Sequence, residues 1–195
     1  MPTSRMEAFS DGVIAILITV MVLELHVPRG THWSDLHQSV PTLLTYVLSF
    51  VYLGIYWNNH HHMLMLTERI GGLVLWANLH LLFWLSLVPF ATGWMGENHF
   101  AKVPASAYGI VLLGAALAYY MLQTTIVRKQ GPDSTLATAI GRDLKGKASP
   151  VLYITGIALA VVNRWLAIAM YVVVALLWLI PDRRLERAIA AVSTD

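Results

Sequence analysis

The chain contains no cysteine, so neither a disulfide framework nor a thiolate metal site is available to it. Charge is scarce: Asp, Glu, Lys and Arg together make up 12% of the 195 residues, about half the share of an ordinary soluble domain. GxSxG, HExxH, P-loop and GxGxxG patterns are all missing, which removes the usual nucleophile elbow, zinc helix and phosphate cradles. A hydrolase working inside a membrane would need a second buried carboxylate or a Ser/His pair beside Asp11. None is evident, and the sequence argues against an enzyme.

What fills the chain instead is apolar. Hydrophobic residues make up 57% of it and the mean hydropathy is +0.61, too much greasy surface for one aqueous core, so the expected solvent is the lipid bilayer. A hydrocarbon core of ~30 Å needs about 20 apolar residues per helical crossing. Four runs satisfy this, at about 6–25, 39–63, 72–95 and 104–127. A fifth apolar region is interrupted by Asn163-Arg164 and reads as a helical hairpin, 149–162 and 165–181, with a first arm short for a full span. Residues 128–148 form the one long polar connection, with a short helical turn around Leu136–Ile140. Pro89, inside the third run, predicts a kink. The expectation is an all-α integral membrane protein, one domain over 1–195, with six transmembrane helices. The first run lacks a small-residue cleavage site and is expected to be retained as a helix.

Loop charges support six. With both termini on one side, that side receives Arg5, Arg69, Arg128, Lys129, Arg142, Lys145, Lys147, Arg183, Arg184 and Arg187, and the other receives Arg29, Lys102 and Arg164. That bias is the one expected of cytoplasmic N- and C-termini in a cell membrane. It also accounts for the pI near 9.0 without invoking nucleic acid.

The first run, AFSDGVIAILITVMVLEL, is the most informative. Its first turn is expected to hold Ser10 and Asp11, where the helix N-terminus favours a negative charge. At 100° per residue Gly12, Ile16, Thr19 and Leu23 share a stripe about 60° wide, and Asp11 lies about 110° from its centre. Such a stripe suits either helix packing or a pore, and a threonine can satisfy its hydroxyl on its own helix. A carboxylate at membrane depth is costly and is normally paired, solvated or functional. Arg5, Trp57, Asn78, His80 and the His60-His61-His62 run are the available partners, and sidedness places 60–62 at the same end as Asp11.

These residues carry a resemblance. RMEAFSDGVIAILITVMVLEL, with Arg5 four residues before Phe9-Ser10-Asp11, resembles the signature of the transmembrane protein 175 family of potassium channels; GIYWNNHHHML and LLFWLSLVPFATGWMGE are similar to that family's following helices. The resemblance implies a non-canonical homotetrameric cation channel whose pore is lined by the first helix of each subunit, with no TVGYG-type carbonyl filter. This chain has no such sequence. Carried over by position, Ile16 is the hydrophobic constriction, Thr19 a hydroxyl ring where permeating potassium sheds part of its water, and Leu23 a further apolar ring, with Gly12 on the same stripe. Arg5, Phe9, Ser10, Asp11, Trp57, His60, His61 and Asn78 form the structural network around the motif. No cofactor and no bound metal are expected, and potassium is the permeant species.

Three further features are weighed against this. Consecutive helical residues point about 100° apart, so His60, His61 and His62 cannot converge on one ion. Glu24, Asp35 and Glu97 could make an acidic outer mouth, although wet loop ends explain them as well. The rival function is a proton-coupled secondary transporter using Asp11 with His60 or His61, which should show broken helices in matching halves. The direction of Asp11 separates the two: into a cavity for a transporter, into a helix-packing network for a channel.

Overall fold

The structure, a computed structural model, describes residues 3–68, 70–141 and 143–180. Among these every regular element is helical: α1 (Thr3–Leu23), α2 (Trp33–Leu36), α3 (Val40–Met65), α4 (Gly72–Ser86), α5 (Val88–Glu97), α6 (Lys102–Gln130), α7 (Thr135–Ile140), α8 (Leu144–Val162) and α9 (Arg164–Leu179). A 3-10 turn at His37–Ser39 joins α2 to α3. By length and composition α1, α2–α3, α4–α5, α6 and α8 can each cross a bilayer, and α9, with 16 residues, is a shorter apolar helix. The expected Arg69, Arg142, Arg183, Arg184 and Arg187 of the charge count, and the last residue of the 165–181 helix, lie outside the described residues.

Local chemistry sets the breaks. Pro89 has no N–H to return to the Leu85 carbonyl, so the third apolar run divides at Leu87 into α4 and α5, with the proline in the first turn of the second piece. Asn163 ends α8 and its Oδ1 accepts the Trp165 N–H at 2.9 Å, capping α9. Two expected boundaries are corrected. α8 begins at Leu144, not at 149, and α6 runs on to Gln130, so the polar connection is shorter than 128–148. Asp143 is the reason: its carboxylate accepts the Gly146 N–H at 3.0 Å and the Gln123 amide of α6 at 3.1 Å, starting the helix five residues early.

α6 is the centre of the chain's packing, lying on α4, α5, α8 and α9, while α3 packs on α5 and α9. Glycines let these helices close up: a Cβ on Gly109 would strike the Tyr171 hydroxyl, and one on Gly114 would enter the Trp84 ring. Tyr52, Tyr108, Tyr153 and Tyr171 fill the middle as tilted and edge-on rings. Their hydroxyls find partners indoors, Tyr171 on the Ala105 carbonyl and Tyr108 with Ser49. α1 stands at the edge of this body, resting on α3, α4 and α5.

Candidate functional site

α1 has a covered and an uncovered face. Met6, Ser10, Ile14 and Met21 are buried against the neighbouring helices. On the opposite side Gly12, Ile16, Thr19 and Leu23 are exposed, Ile16 at 60% and Leu23 at 83%, and a Cβ added to Gly12 would meet nothing within 4 Å. The helical stripe read from the sequence is therefore the face that the rest of the described chain leaves bare. The Thr19 hydroxyl shares its proton between the Ala15 and Ile16 carbonyls, at 3.1 and 2.9 Å, and among the described residues bonds no other helix.

Polar groups on the covered side tie α1 down. Ser10, fully buried, donates to the Met6 carbonyl at 2.8 Å and accepts from the Asn78 amide of α4 at 2.9 Å. Asn78 Oδ1 is then left to accept from His60 Nε2 of α3 at 2.8 Å. Three helices meet in one directed chain, His60 to Asn78 to Ser10 to Met6. This orientation leaves His60 Nδ1 the proton-free nitrogen, and among the described residues that buried atom has no partner.

A second set of contacts flanks the first. Asp11 Oδ1 accepts the Trp57 indole N–H at 3.1 Å, and the Glu7 carboxylate meets His61 Nδ1 at 2.8 Å. Glu7 and Asp11 are four residues apart on α1, as Trp57 and His61 are on α3, so the two helices present matching rungs. The Trp57 and His61 rings stack at 6.1 Å, 17° from parallel. Glu7 was not among the residues singled out from the sequence, although its place one turn before Asp11 was a usable signal.

The structure thus brings Ser10, Asp11, Trp57, His60, His61 and Asn78 together. Arg5 and Phe9 are exposed and take part in none of these bonds. Asp11 does not sit in the first turn of its helix as expected: α1 starts at Thr3, more than two turns earlier. The field of a helix end fades within one turn, so the carboxylate is held by the Trp57 indole rather than by the helix terminus. Among the described residues no group of three or more His, Cys, Asp or Glu side chains could hold a metal ion.

Comparison with known proteins follows the same lines. The family described as "Endosomal/lysosomal potassium channel TMEM175" matches residues 5–89, the segment carrying α1 and its partners. A potassium channel of Chryseobacterium sp. (strain P1-3) is 50% identical over 189 residues, 97% of this chain and 98% of that one. The endosomal/lysosomal proton channel TMEM175 of Danio rerio is 28% identical over 129 residues, 63% of this chain but 24% of that protein. Among solved structures, a lysosomal potassium-selective channel TMEM175 homologue from Chamaesiphon minutus superposes with a TM-score of 0.79 at 30% identity, covering 92% of this chain and 97% of that one. Identity of one residue in two, sustained from end to end, carries the assignment: the chain belongs to the TMEM175 family of ion channels.

Proposed function

We propose that this chain is one subunit of a potassium-selective channel in the cell membrane, in which four copies place α1 around a common axis. Each subunit crosses the bilayer six times, α4–α5 counting as one crossing, with both termini in the cytoplasm. The observation that carries the reading is the bare stripe on α1. Gly12, Ile16, Thr19 and Leu23 lie on the face of α1 that the chain's own helices leave uncovered, and a glycine and a hydroxyl among them suit close approach of other copies and contact with water. Four Ile16 side chains make a neck that excludes water and raises the barrier to any ion. Four Thr19 hydroxyls, a turn further along, replace part of the hydration of a cation passing through. Selectivity for potassium over sodium then rests on its smaller dehydration cost and is modest. No cofactor is needed.

The anchoring of Asp11 favours this reading over a proton-coupled transporter. Its carboxylate is engaged by an indole from α3, a helix-packing contact, and the hydroxyl beside it is locked to α4.

The test is potassium flux through purified protein in liposomes, with sodium and proton gradients as controls. Gradient-driven potassium flux is expected without any counter-gradient, and Ile16→Asn, which wets the neck, is expected to raise leak severalfold. Flux only against an opposing proton gradient would make the protein a transporter. Unchanged leak in Ile16→Asn would take Ile16 out of the pore.

A further inference from the structure

An open groove of about 670 Å³ lies between the start of α4 and the end of α6, away from the α1 stripe. Its walls are apolar, with Leu73, Trp76 and Met121 all exposed. Its rim is cationic: Arg128 and Lys129 are both exposed, and among the described residues neither has an acidic partner. The Lys129 ammonium lies directly against Gly71, the residue that opens α4 and offers it no side-chain cap. The first amides of a 15-residue helix therefore open beside the Lys129 ammonium, and Arg128 lines the same groove.

An apolar trough that ends in uncompensated positive charge at the end of two membrane helices has the chemistry of a phospholipid. We infer that this groove holds an anionic phospholipid, its phosphate on Arg128, Lys129 and the opening amides of α4, and its upper acyl chain along Leu73, Trp76 and Met121. A tryptophan at that depth suits the headgroup boundary, and basic pockets between membrane helices select anionic headgroups. The volume is that of a ligand site rather than of a packing defect. A second copy of the chain fits the groove less well. At this end Glu7, Asp11 and Asp143 already accept hydrogen bonds within their own chain, and the exposed Glu68 and Asp133 lie close in sequence to Gly71 and Lys129, so a facing copy would bring acid against acid as well as acid against the cations. The inference requires that the chain sit in a bilayer, not that it conduct.

Native mass spectrometry of the purified oligomer, with phosphatidylglycerol and phosphatidylcholine supplied in equal amounts, tests it. The unaltered protein should retain phosphatidylglycerol preferentially, and Arg128→Gln with Lys129→Gln should lower that preference roughly tenfold or more, from two surface charges. Arg164→Gln, at the opposite end of the bundle, should leave it unchanged. Excess inorganic phosphate should leave the lipid bound. Retention unaltered in the double variant, an equal loss in Arg164→Gln, displacement by free phosphate, or a change of oligomer mass in the double variant would each overturn the lipid site, the last by showing the groove to be a contact between copies.

Discussion

Two hydroxyls on α1, Ser10 and Thr19, both bond carbonyls of their own helix, yet they have opposite surroundings. Ser10 is sealed inside and also accepts from Asn78, which in turn takes a proton from His60. Thr19 stands on the bare side and, among the described residues, hydrogen-bonds only within α1. Both residues would look alike in a hydropathy plot. The difference is that the covered face spends its polarity on holding helices together, whereas the bare face keeps its polarity available to whatever lies opposite. Changes on one face should therefore be felt in stability, and on the other in conduction.

The sharpest test of that division is Asn78→Leu. It fills similar space but leaves Ser10 and His60 Nε2 without their shared partner in a buried setting, and should cost about 2–3 kcal/mol in thermal unfolding of detergent-solubilised protein. A loss below the error of that measurement would show the chain of bonds to be incidental. Ser10→Ala removes one acceptor from Asn78, and a loss of about 1 kcal/mol is expected by the same readout. Asp11→Asn keeps an oxygen for the Trp57 indole and sits at a half-exposed position. It should cost under ~1 kcal/mol and assemble normally, and abolished flux in a well-assembled Asp11→Asn protein would return that carboxylate to the centre of the mechanism. Thr19→Val should shift stability by no more than about 0.5 kcal/mol yet reduce the preference of the flux for potassium over sodium. If Thr19→Val instead unfolds the protein, the two faces of α1 do not divide the labour as described.

Much of this was legible in sequence because its causes are local. The kink follows from one missing N–H at Pro89, the α8–α9 break from Asn163, and the bare stripe from the 3.6-residue period of α1. The separation of the three histidines is equally local: His60 and His61 turn to different partners, Asn78 and Glu7. What stayed hidden depends on distant residues. The early start of α8 has a local half, Asp143 capping Gly146, and a distant one, the Gln123 amide of α6 holding the same carboxylate, and only the second was out of reach of the sequence. The pairing of Glu7 with His61 needs the relative register of α1 and α3. Asp11 was misplaced along its helix because Thr3-Ser4-Arg5-Met6-Glu7 is polar enough to read as a lead-in, although it continues the same helix.

The Thr19 geometry has one more consequence. Because the hydroxyl proton is committed to the carbonyls of Ala15 and Ile16, the oxygen shows only lone pairs to its exterior. An outward face of that kind can receive positive charge and has no hydrogen to give to an anion. In the proposed pore, the sign of the ion welcomed at this level would follow from an uncharged side chain, through a bond that points the other way.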